Sequence, residues 1–394
     1  MRTPKNLKRV SLVAAAAAVT LGTMLSADVL AAENMIGRQT QNEGILVLPA
    51  PAAGVKVDGD LSDWDWSGRI QVFAEYNLRE RFSTETAAMW DKDALYVAVK
   101  WRDATPMNSM VDPKITPGDG WKADALQLRV STADQTSWVD TWFFSDRGEP
   151  VISVTKWEDK NKTGKVDSRL FIGENGKTSL GEGIELAYKK DADGKGYVQE
   201  LRLPWRHIYR QAQEIAAGNV LRIGMEFLWA DPSGKIWPIH RYADNMQPGI
   251  TSREFFWNNT KIWGNAELVA TGNVPPRVHK PDLDKLSGAI PVKLEVPADA
   301  KAFTLVIEDG TGARVRNLLG DGDPELYGIG VKDGKRTVEV AWDGLDDAGK
   351  PVEPGNYQIR GLSRGAITAE YDMCFHNPGT PPCGSTKPSS SHLV

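Results

Sequence analysis

Cysteine and histidine are scarce in this chain, and their scarcity narrows the chemistry open to it. The 394 residues include two cysteines and five histidines. Two cysteines are too few for a structural zinc or iron–sulfur site. The sequence has no C-x-x-C-H segment for covalent haem, and neither the His-Glu-x-x-His nor the P-loop pattern. We therefore expect a protein that is not an enzyme.

Long apolar runs are also scarce, and the single one lies near the N-terminus. It covers residues 10–25, which is shorter than the roughly 20 apolar residues that a membrane span needs. Small residues follow at 29–31, and four basic residues precede the run: Arg2, Lys5, Lys8 and Arg9. This pattern predicts a signal peptide over residues 1–31, cleaved after Ala31 or Ala32. We expect a periplasmic or extracellular protein with no membrane span after cleavage.

The chain also has fewer basic than acidic residues. The formal net charge is −5, and removing residues 1–31 takes away four basic residues and one acid, which leaves −8. Binding to a nucleic-acid backbone needs clustered Lys and Arg, so nucleic acid is not expected as a partner. Export permits a disulfide between Cys374 and Cys383, but the sequence leaves that pairing open.

The pattern of short alternating segments indicates an all-β protein: an antiparallel β-sandwich followed by a smaller Ig-like β-sandwich. A Pro-rich stretch over residues 273–285 predicts a linker between them. The other predicted boundaries are a lead-in over 32–54, a first domain over 55–272, a second domain over 286–365 and a disordered tail over 366–394.

The strands of both domains are predicted from their alternation. In the first domain they are residues 95–101, 125–130, 138–144, 184–188, 197–203, 221–229 and 267–271. In the second domain they are 290–296, 302–308, 314–319, 336–342 and 356–362. Residues 205–217, which follow Pro204, predict a short connecting helix.

Three motifs in the first domain resemble a known superfamily. They are residues 57–64 (VDGDLSDW), residues 88–91 leading into the strand at 95, and residues 121–128 (WKADALQL). Together they resemble family 9 carbohydrate-binding modules and the wider DOMON-like superfamily. That superfamily includes the haem-binding domain of the ethylbenzene dehydrogenase gamma subunit. The resemblance covers about 55–272 and implies a ligand-binding sandwich without choosing the ligand.

The second domain resembles the Ig-like domain of flagellar hook-capping proteins. The resemblance rests on residues 315–318, 338–350 and 352–357, and it covers about 286–362. It implies a spacer or assembly module through which protein partners could attach.

Tryptophan is unusually frequent: the 14 tryptophans outnumber the 10 phenylalanines and 9 tyrosines, and all but Trp342 lie between Trp64 and Trp263. Sugar rings stack on flat aromatic faces, while planar polar side chains can bond their hydroxyls. In the resembled modules, an aromatic residue followed six positions later by an acid contributes to the sugar site. Trp121 and Gln127 have that spacing here, with glutamine in place of the acid.

Trp121 is the leading candidate because it follows a loop, where a purely structural tryptophan is less expected. Asp124 lies between it and Gln127, and Arg129 shares the alternating face of Gln127. Further candidate stacking residues are Trp142, Trp237 and Trp263. The remaining predictions place Trp101, Trp138 and Trp229 in the core and Trp64 and Trp90 at the ends of the sandwich.

Two other ligands remain open on the residues alone. The haem-binding relatives use Met and Lys as axial ligands, which makes b-type haem the alternative, held by Met107, Met110, Lys122 or His240. Weaker candidates for the same role are Lys114, His207 and Met246. A structural calcium ion could be bound by Asp58, Asp60 and Asp63, although their spacing is not that of an EF-hand.

The sequence therefore predicts an exported, non-catalytic binding protein. Its expected partner is a carbohydrate, held by stacking on Trp121 with hydrogen bonds from Gln127 and Arg129, and no cofactor is required. The alternatives are a haem-binding electron-transfer subunit and a structural cell-surface protein.

Overall fold

The chain divides into two compact units, which are described separately. The computed structural model describes residues 8–13, 44–73, 78–158, 164–174, 177–243, 245–248, 250, 256–275, 290–347 and 351–367. The large unit comprises Leu21–Gly288 with Ala348–Pro351, and the small unit comprises Met1–Thr20, Ala289–Asp347 and Val352–Val394.

The described part of the large unit is built almost entirely from strands, as predicted. Its strands are β2 (Ile45–Pro49), β3 (Ile70–Phe73), β4 (Ser83–Trp90), β5 (Ala94–Arg102), β6 (Ala125–Ser131), β7 (Gln135–Phe144), β8 (Glu149–Glu158), β9 (Lys165–Ile172), β10 (Ser179–Gly181), β11 (Ile184–Lys190), β12 (Gly196–Pro204), β13 (Val220–Trp229), β14 (Ile239–Tyr242) and β15 (Gly264–Leu268).

These strands form one sheet in the order β10-β11-β12-β5-β4-β2-β15-β13-β6-β7-β8-β9, with β14 on β13 and β3 on β4. The all-β prediction is confirmed, but the sheet is mixed because β2 runs parallel to both β4 and β15. Parallel neighbours need long connections, and β2 is separated by many residues from each of these partners. The strand β2 lies in the segment predicted as a lead-in.

The two ends of the sheet fold over one another and enclose the core. The amide of Gln199 on β12 donates to Thr141 Oγ1 on β7 at 2.6 Å. Trp101 on β5 stacks on Tyr197 and meets the ring of Trp229 on β13 edge-on. Trp101 and Trp229 are fully buried, which confirms their predicted place in the core.

The predicted helix over 205–217 is wrong, since the chain makes a single 3₁₀ turn at Trp205–His207. Side chains of β7 occupy the carbonyls that a helix would use. Ser137 Oγ donates to the carbonyl of His207 at 2.6 Å, and Gln135 Nε2 donates to the carbonyl of Ile208 at 3.1 Å. These buried bonds hold the chain against β7 at the end of the turn.

The motif at 57–64 is anchored by a buried carboxyl group on the strand β12. Glu200 on β12 accepts from Trp64 Nε1 at 2.7 Å, from the backbone N–H of Asp58 at 3.1 Å and from that of Gly59. Burial raises the pKa of Glu200 to about 7. Gly59 has a φ of 81°, which an L side chain rarely adopts. The motif thus serves to dock this turn on β12.

The small unit contains all five strands predicted in the second domain. Its elements are β1 (Lys8–Val13), β16 (Ile290–Pro297), β17 (Ala302–Glu308), β18 (Arg314–Gly322), α1 (Pro324–Tyr327), β19 (Gly328–Lys332), β20 (Lys335–Trp342) and β21 (Asn356–Arg364). They form two sheets, with the orders β1-β21-β17-β18 and β16-β20-β19.

The edge strand β1 comes from the predicted signal peptide and pairs antiparallel with β21. Its removal would leave β21 at the edge of a three-stranded sheet. The sequence GLSRG at 361–365 has the spacing of a serine-hydrolase motif, but its serine lies in the regular strand β21. A catalytic serine of that type needs a strained strand-to-helix turn, so this segment does not provide one.

Some predictions fall on parts of the chain that the structure does not describe. They include most of the linker at 273–285, both cysteines and nearly all of the tail after residue 366. Within the described ranges, no helix is long and apolar enough to cross a membrane.

The buried carboxyl of Glu200 predicts a specific pH dependence of stability. Its pKa rises from 4.5 in the unfolded chain to about 7 in the fold, so the folded state binds the proton more tightly. Stability is therefore lost as the pH rises from about 4.5 to 7. Glu200→Gln removes the titrating carboxyl group and should remove this loss. The unfolding free energy of the variant, measured relative to that of the native chain, should therefore increase by ~2–3 kcal/mol from pH 5 to pH 8.

Urea unfolding across that pH range measures the difference. Glu267→Gln, at an exposed position of β15, is the matched control and should keep the native pH profile. Parallel profiles for the native chain and Glu200→Gln would contradict the assignment.

Candidate functional site

A groove with a volume of about 1230 Å³ lies on the outer face of the sheet, across β6, β7, β8, β9 and β13. Because side chains alternate along a strand, residues that flank the core positions point outward. Gln127 on β6 lies opposite Glu226 on one side and Asp140 on the other, and Asp140 lies opposite Ser153. This polar row forms the middle of the groove floor.

A second row lies two residues further along the strands. Arg129 is opposite Trp138, which in turn is opposite Thr155 on β8. The guanidinium of Arg129 lies 4.8 Å from the centre of the Trp138 ring, and its Nη1 donates to Asp140 Oδ1 at 2.8 Å. The Arg129 side chain is only 5% exposed, so it is held rigidly at the floor.

The row on the other side of the polar middle is apolar and covered. Trp142 on β7 is fully buried there, and its Nε1 donates to the carbonyl of Val111 at 3.0 Å. Gly120 packs directly on the indole, since a Cβ at this position would lie 2.3 Å from Trp142 Cε3. The loop between β5 and β6 thus covers one end of the outer face and leaves the other end open as the groove.

The covering loop is fixed by a buried carboxyl group at its C-terminal end. Asp124 Oδ1 accepts from the N–H of Ala230 and Oδ2 accepts from the N–H of Asn108, both at 2.6 Å. Burial, with the nearby negative charge of Asp103, raises the pKa of Asp124 well above its usual range. Burial also raises the pKa of Asp103. Asp124 therefore joins the loop to the residue that follows β13.

Two tryptophan clusters border the groove floor. The first consists of Trp121 and Trp237, whose ring centres are 4.6 Å apart at an angle of 74°. Trp121 lies in the 3₁₀ turn Gly120–Lys122, and its Nε1 donates to the carbonyl of Gly118 at 3.1 Å. Trp237 packs against the apolar cluster that contains Trp142. We call Trp121 and Trp237 the loop pair.

The second cluster consists of Trp138, Trp157 and Trp257, which we call the far cluster. The Trp138 ring centre lies 5.4 Å from that of Trp157 and 5.8 Å from that of Trp257. Trp138 was predicted to lie in the core, and this prediction is wrong, because its ring lies half-exposed on the outer face. The sequence did contain a sign of this position: Trp138 is two residues from the polar Asp140, so both side chains lie on the same face of β7.

The polar side chains of the groove include both hydrogen-bond donors and hydrogen-bond acceptors, and several of them are charged. His240 Nδ1 lies 2.6 Å from Glu226 Oε1, and Arg129 is paired with Asp140. The amide of Gln127 lies between these two pairs. Such a floor can bond many hydroxyl groups of an uncharged ligand, while the flat aromatic faces suit its C–H surface.

The structure brings four of the six predicted sugar-site residues into the groove: Trp121, Gln127, Arg129 and Trp237. Trp142 and Asp124 do not line the groove. Both side chains are buried, Trp142 beneath the covering loop and Asp124 where it bonds two backbone N–H groups. Trp263 is also buried, and its Nε1 donates to the carbonyl of Phe256 at 2.6 Å. The groove also contains residues that the sequence pattern did not predict for the sugar site, among them Trp138, Trp157, Trp257, Asp140, Glu226 and Ser153.

The candidate haem ligands have other surroundings. Met107 is buried, Met110 is exposed, and Met246 is half-buried in a bridge to Trp263. The ammonium of Lys122 pairs with Asp119 at 2.8 Å, and His240 is bonded to Glu226.

Two further candidate haem ligands can also be placed. His207 is buried, and burial lowers its pKa to about 4. Lys114 is exposed at the border of the groove.

The three aspartates proposed for calcium each bond nearby backbone. Asp58 accepts from the N–H of Asp60, Asp60 from that of Ser62, and Asp63 from that of Lys56. Among the residues that the structure describes, no three His, Cys, Asp or Glu side chains come together as a metal-binding group.

The fold and the groove define a β-sandwich binding domain with an aromatic-lined surface site. A family model described as carbohydrate family 9 binding domain-like matches residues 57–271, and the chain belongs to this family. The predicted resemblance to family 9 carbohydrate-binding modules is thereby confirmed for this domain.

Solved structures provide a weaker comparison. A family 9 carbohydrate-binding module from Caldicellulosiruptor kristjanssonii in complex with cellotriose is 16% identical, covers 59% of this chain and 98% of its own, and has a TM-score of 0.34. The module from the same organism with glucose is 15% identical, covers 59% of this chain and 100% of its own, and has a TM-score of 0.33. No curated protein sequence matches the chain significantly.

The packing of Gly120 on Trp142 can be tested by substitution. Gly120→Ala should destabilise the fold by about 1–3 kcal/mol, because the added methyl group overlaps the buried indole. Gly118→Ala is the matched control in the same loop, since a Cβ there has no atom within 4 Å. Urea unfolding of both variants measures the difference. Equal stability of the two variants would contradict the proposed covering of the sheet.

Proposed function

We propose that the protein is an exported, non-catalytic carbohydrate-binding protein and that the groove is its binding site. The observation that carries this proposal is the composition of the groove in a carbohydrate family 9 binding domain. Five tryptophans border a floor of paired donors and acceptors. Few other ligand classes need both large flat apolar faces and many hydroxyl-bonding groups in one site.

In this proposal, the loop pair receives the first sugar ring. The Trp121 ring is half-buried and fixed by its own indole bond, so little side-chain entropy is lost on binding. Gln127 and Arg129 lie on the adjacent floor and donate to ring hydroxyls. Arg129 is already held by Asp140 and Trp138, which makes it a preorganised donor.

The rest of the chain is proposed to serve the binding domain. The apolar run with its basic flank supports export of the protein. The five predicted strands found in two small sheets support an Ig-like spacer after the binding domain. The family of the larger domain supports a binding role rather than a catalytic one.

Substitution of Trp121 tests the proposed site. After a glycan-array screen has identified a bound sugar, Trp121→Ala should weaken its binding by about ten-fold or more, because the stacking face is lost. Isothermal titration calorimetry on the full chain measures this. Trp66→Ala is the matched control: Trp66 is a half-buried tryptophan that does not line the groove, and its loss should leave the affinity unchanged.

Two results would contradict the proposal. One is sugar binding that survives Trp121→Ala unchanged. The other is a Soret band with stoichiometric iron in protein produced with haem available.

A further inference from the structure

The far cluster is not needed to hold the sugar ring assigned to the loop pair. Trp257 is 42% exposed, although tryptophan side chains are usually well covered in a folded domain. Its ring meets Trp138 edge-on, and Trp138 in turn contacts Trp157. The cluster therefore presents aromatic surface to solvent inside the groove.

The loop pair and the far cluster are too far apart to hold the same ring. The loop pair lies by Trp142, because Gly120 packs on that indole and Trp237 packs against the same cluster. Trp138 precedes Trp142 by four residues on β7. At about 3.3 Å per residue in a strand, the two positions are ~13 Å apart. That separation exceeds the width of one pyranose ring.

One polar row lies between Trp142 and Trp138 on this face of β7. It contains Gln127 and Asp140, whereas Arg129 lies beside Trp138 in the next row. A ligand that reached from one cluster to the other would therefore pass over hydroxyl-bonding groups.

The orientation of the rings restricts the form of the ligand. Trp121 and Trp237 meet at 74°, and Trp138 and Trp257 also meet at 74°. The two rings of each pair therefore do not share a plane, and they border a groove rather than a flat face. A groove suits a single soluble chain better than the surface of a crystalline polysaccharide.

From these observations we infer that the groove binds a soluble oligosaccharide chain at two separate ring positions. One position is at the loop pair and the other is at the far cluster, with Trp257 as its exposed stacking face. This inference rests on the proposed carbohydrate-binding function.

A chain-length series tests the inference on the full chain by calorimetry. The probes are glucose, cellobiose, cellotriose and cellotetraose, with the xylose and mannose series alongside. Affinity should increase with length and then level off. Trp257→Ala should lower the affinity for the longest probe by about ten-fold and leave that for the monosaccharide or disaccharide unchanged, because only longer chains reach the far cluster.

Two variants separate stacking from folding effects. Trp257→Tyr retains an aromatic face and should recover most of the affinity for long chains. Trp66→Ala should affect neither short nor long probes, and thermal unfolding of each variant verifies its fold.

The outcomes distinguish the two proposals. Sugar binding that is independent of chain length, or unchanged in Trp257→Ala, overturns the second position but retains the proposed function. Binding to microcrystalline cellulose that is tighter than binding to the soluble chain overturns the single-chain form. A failure of every sugar series to bind overturns the proposed function itself.

Discussion

The groove depends on the bonds that Asp124 makes between two backbone segments. Its carboxyl group joins the loop at Asn108 to the end of β13 at Ala230, at full burial and beside Asp103. A buried carboxyl is costly unless it is satisfied, and here both oxygens accept a backbone N–H. This attachment holds the loop between β5 and β6 over the sheet. The position of Trp121 follows from it, because Trp121 lies three residues before Asp124.

The same loop decides which part of the outer face stays uncovered. Trp138, Asp140 and Trp142 alternate on one face of β7, so all three would be accessible on a bare sheet. Gly120 covers Trp142 and completes a small apolar core, whereas Trp138 and Asp140 stay uncovered. The site is therefore the part of a regular sheet face that its own loop does not cover.

Local patterns explain what could be predicted from the sequence. Alternation identified most central strands and all five strands of the second domain, because each has a clear apolar face. The motif around Trp121 and Gln127 pointed to a loop and a strand that border the groove. Asp124 belongs to the same motif, but its contribution is structural, since its partners lie far away in sequence at Asn108 and Ala230.

The remaining features depend on long-range packing that local patterns do not record. Trp138 and Trp142 have similar strand neighbours, yet one is half-exposed and the other is fully buried. The strands β8 and β9, which carry Trp157 and Ser168, were missed. None of the residues of β9 is buried, so its sequence has no clear apolar face. After Pro204 the chain makes one 3₁₀ turn in place of the predicted helix, and buried side chains of β7 bond the carbonyls of His207 and Ile208 there.

The central claim is that carbohydrate binds on the tryptophan-bordered outer face of the large sheet. Titration of ¹⁵N-tryptophan-labelled protein with a bound oligosaccharide tests it directly, because each of the 14 indoles reports its own surroundings. Binding in the groove should shift the indole N–H signals of Trp121, Trp237 and Trp257. The signals of the buried Trp101, Trp229 and Trp342 should stay unchanged. Saturable binding that leaves the three groove signals unshifted would contradict it.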